Sequence, residues 1–314
     1  MPSVWKGVFP ALTTPFAEHL AVDHQALALH LERLIAAGID GAVIGGSLGE
    51  NGSLTEDEQL AVLETALGAA AGRIPVVAGV AEATPDAAGR VIRRAATTGA
   101  AGIMLLPPMR YRTDRRETLA YLGAVTRSSP LPVMIYNNPV AYGTDVTPEM
   151  FSELAGIAAI TALKESSGDP RRITEILART GDRFQIFVGV DDLALEAFVL
   201  GATGWVAGLV CAFPEETIAL YRLARAGRWD EARALYRWFT PLLKLDTSTK
   251  FVHYIKLAQE MTGLGSSRVR PPRLALESAE RMEIEQTVRG ALSRRPEVEP
   301  LIRLGLQLSV LVAR

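Results

Sequence analysis

Eight short apolar runs alternate with stretches of helical periodicity along most of this chain, and that alternation restricts the fold more than any other feature. The runs are Gly7–Leu12, Gly41–Gly46, Pro75–Val80, Gly102–Leu106, Pro132–Tyr136, Ala159–Lys164, Phe184–Val190 and Gly204–Ala207. Each has the length and continuous apolar character of a strand buried on both faces. Between them Leu27, Leu31, Leu34 and Ile35 recur at helical spacing, and Gly38 stands where a helix C-cap is expected. Helix starts are marked too. Thr55 with Glu58 reads as a capping box, while Thr84-Pro85, Thr147-Pro148 and Asp169-Pro170 each set a cap residue before a proline at the first helical position.

Repeated strand–helix units imply a parallel sheet covered by helices, either closed into a barrel or open and doubly wound. The number of units favours closure. An open dinucleotide-binding sheet would carry G-x-G-x-x-G after its first strand, and Gly7 to Phe16 contains no such sequence. The expected fold is therefore an α/β (β/α)8 TIM barrel over residues 1–225. Strand signals stop after Phe213, and Tyr221–Arg225, Trp229–Leu245 and Phe251–Met261 read as the last barrel helix and the start of a helical extension. That extension is expected to cover residues 226–314 and to pack on the barrel. Its tail, Leu301–Ala313, is interrupted by Arg303 and Gln307 and is too short to span a bilayer, so it reads as one more packed helix.

Composition narrows the range of partners. With 48% hydrophobic residues, 22% charged residues and a formal net charge of −2, the chain can bury a large core and offers no basic field for nucleic acid or an anionic membrane. Small molecules and copies of the chain itself remain. The single cysteine, Cys211, excludes an intramolecular disulfide framework and fits a reducing cytoplasm, the expected location. Met1 to Lys6 shows no secretory signal.

A barrel of this kind places its active site at the C-terminal ends of the strands, so polar residues that end apolar runs are the candidates. Gly46-Ser47-Leu48-Gly49-Glu50, Tyr136-Asn137-Asn138-Pro139, Leu163-Lys164-Glu165-Ser166 and Gly189-Val190-Asp191-Asp192 are such ends. Lys164 is the most informative. The chain has 5 lysines among its 33 basic residues, so arginine serves as the general surface cation and a strand-end lysine stands out. The two-residue period puts Lys164 on one face with Ile160 and Ala162, pointing into the barrel mouth if Leu163 faces the helices. Desolvation there disfavours the ammonium, and a fall in pKa from about 10.4 to about 7.5 corresponds to roughly 4 kcal/mol. The neutral amine is then available as a nucleophile. The bland alternative is an exposed lysine paired with Glu165.

Tyr136 ends its strand with the same parity and can move protons for an attacking amine, with Ser47 as the relay. A core aromatic with its hydroxyl bonded to backbone is the competing account. The turn Gly45-Gly46-Ser47-Leu48-Gly49 resembles an anion nest, although glycines there serve a strand-to-helix turn equally well. Metal catalysis has little support. His19, His24, His30 and His253 form no ligand cluster at strand ends, there is no H-E-x-x-H, and Asp191-Asp192 suits helix capping better than cation binding.

Taken together, these strand ends resemble the dihydrodipicolinate synthase/N-acetylneuraminate lyase family. The resemblance rests on Gly7-Val8-Phe9-Pro10-Ala11-Leu12-Thr13-Thr14-Pro15-Phe16, Gly46-Ser47-Leu48-Gly49-Glu50, Tyr136-Asn137-Asn138-Pro139, Leu163-Lys164-Glu165 and Gly189-Val190-Asp191-Asp192, in order and spacing over about the first 210 residues. It implies a cofactor-free and metal-free class I lyase in which Lys164 forms a Schiff base and Tyr136 transfers protons. It also implies that Ser47 and the backbone around Leu48 bind the carboxylate of a 2-oxo acid. Gly49, Arg110, Tyr111, Asn138, Ser166, Gly189, Asp191 and Val206 complete the expected substrate contacts, with Tyr142 among the specificity loops.

Departures limit the substrate. Where the synthases hold a substrate carboxyl with an arginine after the Tyr-Asn-x-Pro motif, this chain has Ala141, which disfavours the synthase reaction. Arg110 falls where those enzymes lend a tyrosine across a dimer interface, with Tyr111 adjacent. Either Tyr111 replaces it or the relay is built differently, and Arg110 is free to clamp a carboxylate instead. Leu48 replaces a usual threonine, and Gly208 falls near a serine of the sialic acid lyases. Retro-aldol cleavage of a pyruvate-like or longer 2-oxo acid is the first expectation. Dehydration or deamination of a hydroxylated 2-oxo acid or cyclic imine is close behind, with the synthase reaction and a non-catalytic acid-binding barrel as rivals. The resemblance further implies a homo-oligomer, a dimer or a dimer-built tetramer, with Pro107 to Tyr111 near an interface.

Overall fold

The computed structural model describes residues 5–108 and 111–298. Eight strands, β1 Gly7–Pro10, β2 Ala42–Ile44, β3 Val76–Val80, β4 Gly102–Leu105, β5 Val133–Asn137, β6 Ile160–Glu165, β7 Gln185–Val188 and β8 Gly204–Ala207, pair in parallel in the order β1-β8-β7-β6-β5-β4-β3-β2. The ring closes between β1 and β2 through a parallel bridge from Ala11 to Val43, with the Leu12 N–H donating to the Val43 carbonyl at 2.8 Å. This is the expected (β/α)8 barrel. Every expected strand is present: β8 matches its expected bounds, β5 and β6 are shifted one residue toward the C-terminus, and the others are shorter than expected. β2 is the shortest because Gly45 turns into the left-handed region, at φ 65°, to begin the loop that carries Ser47.

The helices are α1 His24–Ala37, α2 Glu56–Ala70, α3 Pro85–Thr98, α4 Arg115–Arg127, the single turn α5 Pro139–Tyr142, α6 Pro148–Leu154, α7 Arg171–Thr180, α8 Ala194–Val199 and α9 Pro214–Arg225. Gly38 ends α1 in the left-handed conformation, and the Thr55–Glu58 capping box forms in full. Thr84 and Thr147 cap α3 and α6 as expected. Asp169 departs from expectation. Pro170 lies outside the regular helix, and the Asp169 carboxylate accepts from the Arg171 N–H at 3.1 Å as α7 begins. Beyond α9 come α10 Trp229–Leu243, α11 Phe251–Met261 and α12 Ser278–Leu292, the last not singled out by periodicity. The tail 301–313 and Arg110 lie outside the described residues. No helix among the described residues is long and apolar enough to cross a membrane.

Aromatic side chains plug the N-terminal end of the barrel. Trp5, Phe9 and Phe187 are fully buried, with Phe9 and Phe187 edge to face at 5.3 Å. Gly204 and Gly41 make that packing possible, because a Cβ at either would fall within 2.5 Å of a Phe187 or Phe9 ring atom. With one end filled, the open volume lies at the C-terminal ends of the strands.

The extension reaches back to fasten one of the strand-end loops. Lys256 of α11 donates to Glu50 at 2.8 Å and to the Thr14 carbonyl at 2.9 Å, both side chains being buried. Glu50 lies just after Ser47 in the loop that leaves β2, so a C-terminal helix sets the position of an N-terminal catalytic candidate.

Candidate active site

Register places the two central candidates side by side. Tyr136 on β5 is the partner of Lys164 on β6, and both residues lie at the C-terminal ends of their strands. Their shared parity turns both inward, so the Lys164 Nζ rests 4.2 Å from the centroid of the Tyr136 ring. Gly189, at the end of β7, leaves the room this requires. A Cβ there would sit 2.3 Å from Lys164 Cε and 2.1 Å from Ser166 Oγ. Lys164 is buried, and Glu165 points the other way, to the Ser167 N–H at 2.7 Å and the Asn137 amide at 3.3 Å. The exposed Lys164–Glu165 pair therefore does not form.

Burial lowers the Lys164 pKa below the usual lysine range, opposed by the nearby Asp246, Tyr142 and Asp191. Desolvation raises the Tyr136 pKa, while the hydrogen bond from Asn138 works against it. Tyr136 is thus a neutral phenol against a readily deprotonated amine, the pairing that imine formation needs: a nucleophile that loses its proton and an acid that keeps one.

A second tyrosine stands beside this pair. Tyr142, the last residue of α5, hydrogen-bonds to Ser47, and its ring lies edge to face with Tyr136 at 5.8 Å. Asn138 sets both tyrosines in place. Its Oδ1 accepts from the Ala141 N–H at 3.0 Å, capping the turn that carries Tyr142, and its Nδ2 donates to the Tyr136 hydroxyl at 3.0 Å. Tyr111, the expected alternative, is 61% exposed and lies beside Glu117 on the surface. Its expected place is a site across a subunit interface, which a single chain does not contain; within the chain, the tyrosine beside Tyr136 is Tyr142.

Around these groups opens a cavity of about 720 Å³ lined by Ser47, Leu48, Tyr136, Asn138, Ser166, Gly189 and Val206 among others. The Ser166 hydroxyl faces Tyr136 from inside it without forming a bond of standard geometry. Gly49 is not on the wall. It packs behind, where a Cβ would lie 2.9 Å from the Leu12 carbonyl oxygen, and its own carbonyl accepts from Thr14 at 2.7 Å. Asp191 departs from expectation. Its carboxylate is fully buried and accepts from Trp205 Nε1 at 2.9 Å and from the N–H groups of Gly208 and Leu209 at 3.1 and 2.7 Å. It fastens the turn after β8 from beneath instead of meeting a substrate, and burial lifts its pKa to about 6 against those bonds.

Asp246 carries no signal in the sequence and is an addition from the structure. It sits in the turn after α10 and brings a carboxyl into the cavity wall beside Thr247, Ser248 and Thr249. Gly208 supplies its space, since a Cβ at 208 would fall 2.5 Å from Asp246 Oδ1. Burial and the neighbouring Asp191 hold Asp246 well above the usual carboxylate range, against the attraction of Lys164. A polar residue after a helix, far from the lysine in sequence, has none of the marks of a strand end.

Comparison with known proteins agrees with this geometry. The model of the dihydrodipicolinate synthetase family matches residues 4–291. The chain is 31% identical to 4-hydroxy-tetrahydrodipicolinate synthase 1 of Halalkalibacterium halodurans over 281 residues, covering 90% of this chain and 95% of that protein. It is 33% identical to the 4-hydroxy-tetrahydrodipicolinate synthase of Acidobacterium capsulatum over 282 residues, 89% and 93% of the two chains. Among solved structures, the 4-hydroxy-tetrahydrodipicolinate synthase of Methylacidiphilum fumariolicum superposes with a TM-score of 0.90 at 27% identity, covering 95% of this chain and 99% of that one. The dihydrodipicolinate synthase of Aquifex aeolicus gives a TM-score of 0.87 at 28% identity, over 91% and 98%. An inward lysine beside a phenol at the mouth of an eight-stranded barrel and a family match over nearly the whole length lead to one conclusion: this chain belongs to the dihydrodipicolinate synthetase family and is a lyase of the lysine Schiff-base class.

Proposed function

We propose that the chain acts on a 2-oxo acid bearing a single carboxylate, forming an imine between Lys164 and the substrate carbonyl and then releasing a group from the far side of C3. The observation that carries this reading is the charge inventory of the cavity. Among the described residues lining it, Lys164 is the only cation, and Ala141 stands on the wall where the synthases have an arginine. A second substrate carboxylate would lie near Asp192 with no described guanidinium on the wall to offset it, which is costly in a partly enclosed site.

The first carboxylate has a place. The turn after β2 uses the N–H groups of Glu50 and Asn51 for its own bonds to Ser47 and Gly46 carbonyls, and not those of Ser47 and Leu48. Those two groups and the Ser47 hydroxyl form the anion site of the reading. With the acid held there, Lys164 attacks C2. Tyr136 gives a proton to the departing carbinolamine oxygen and takes one back from C3, and Tyr142 and Ser47 link it to the carboxylate end. The iminium is the electron sink for loss of the group beyond C3.

The test is to incubate the protein with pyruvate and with oxaloacetate, a dicarboxylate, in the presence of borohydride, and to map the adduct by peptide mass spectrometry. The reading expects an adduct on Lys164 with pyruvate and a much weaker one with oxaloacetate. No adduct, one on another residue, or equal trapping of the two acids overturns it. Assembly into a homo-oligomer belongs to the same reading and is checked by sedimentation.

A further inference from the structure

The groups around Lys164 fall on two flanks. On the β5 and β2 side stand Tyr136, Tyr142 and Ser47, with Tyr142 bonded to Ser47 and edge to face with Tyr136. On the β7 and β8 side stands Asp246, facing the same cavity with none of those partners. Its support comes from elsewhere. Gly208 leaves it a side-chain-sized space, and Asp191 lies close behind it. Asp192 also reaches the wall, but it lies under the influence of Lys244, whereas Asp246 is the strongest charge acting on Lys164. Burial and the two neighbouring aspartates raise its pKa, and its place on the cavity wall opposite the tyrosines suits this carboxyl to give a proton to a group that leaves on its side.

We propose that Asp246 is the catalytic acid that protonates a hydroxyl leaving from C4 of the imine-bound substrate, so that the reaction is an elimination of water and not a carbon–carbon cleavage. The proposal rests on the Schiff-base reading above. Once Tyr136 has taken the C3 proton, the enamine electron pair forms the C3–C4 double bond as the C4–O bond breaks. The oxygen takes the Asp246 proton and departs as water. Hydrolysis of the conjugated iminium releases the unsaturated 2-oxo acid and the Lys164 ammonium, which returns a proton to Asp246. Nothing is oxidised or reduced, and no co-reactant beyond water is needed.

The test compares wild type with Asp246→Asn on 4-hydroxy-2-oxobutanoate and 4-chloro-2-oxobutanoate. Chloride leaves without a proton, so a residue that only shapes the cavity affects both compounds alike. The expected result is water loss slowed by about 100-fold or more, with chloride release within about threefold of wild type. Trapping with pyruvate should persist in the variant, because imine formation draws on Lys164 and Tyr136 and not on Asp246. Formaldehyde as the main wild-type product, equal slowing of both compounds, slowing of neither, or a wild type that forms the pyruvate adduct yet expels neither group overturns the acid role. Absence of the pyruvate adduct in wild type instead removes the Schiff-base reading itself. If Asp246→Asn does not fold, Asp246→Ser is scored by the same contrast.

Discussion

The Lys164 Nζ lies 4.2 Å from the centre of the Tyr136 ring, and the two residues are register partners on adjacent strands. A one-residue slip between β5 and β6 would send one of them to the opposite face of the sheet. The placing of this pair therefore depends on strand register, and the bulge in the pairing between Val133 and Met134 sits upstream of it.

Tyr136→Phe should preserve the fold and slow exchange of the C3 protons of pyruvate in heavy water by about 100-fold or more, the usual range for a positioned acid or base. Proton exchange monitored by NMR reads this step without knowledge of the natural substrate. Tyr142→Phe should slow it too, but less, since it removes the link to Ser47 and leaves the primary phenol. An unchanged rate in Tyr136→Phe returns that residue to the barrel core.

Gly189→Ala should abolish the borohydride-trapped pyruvate adduct. The new methyl group would occupy space now held by Lys164 Cε and Ser166 Oγ, so the lysine stem must leave its position for the chain to fold. Wild-type trapping in this variant would show that the lysine reaches the carbonyl from another conformation.

The pH dependence of stability has a definite sign. Burial lowers the Lys164 pKa, so between that value and about 10.4 the unfolded chain binds more protons than the folded one, and stability rises with pH through the window. Lys164→Met removes this contribution. Its stability relative to wild type should be greatest at neutral pH and should narrow as pH rises toward 10, as read from urea midpoints. A constant difference across pH would show that Lys164 is no harder to charge in the fold than in the unfolded chain.

Lys256→Met should destabilise the protein by about 3–5 kcal/mol, because it leaves the Glu50 carboxylate buried without its cation. Lys256→Met combined with Glu50→Gln should recover part of that loss. The same single substitution should weaken pyruvate trapping, since Glu50 anchors the loop carrying Ser47. Denaturant unfolding with an unchanged m-value separates a stability effect from a change of fold.

Much of this architecture was legible in the chain. Strands buried on two faces read as uninterrupted apolar runs, and caps such as Thr55 with Glu58 and the glycine at 38 mark helix ends by local chemistry. Lys164 and Tyr136 were legible for a related reason: strand parity is a local property, and a polar residue that ends an apolar run must sit at a strand mouth. Local rules said nothing of which mouths meet. Tyr111 and Tyr142 are both tyrosines in strand-end loops, and only the turn capped by Asn138 decides that the second joins Ser47 while the first faces solvent. Asp191 carries the same strand-end signal as Lys164, yet the backbone after β8 claims its carboxylate. Asp246 had no signal, because its place depends on the path of the chain after α10 and on the empty volume at Gly208. Periodicity and capping act over a few residues and are written in the sequence. Burial, charge neighbours and shared hydrogen bonds join segments far apart in the chain, and only the closed barrel brings them together.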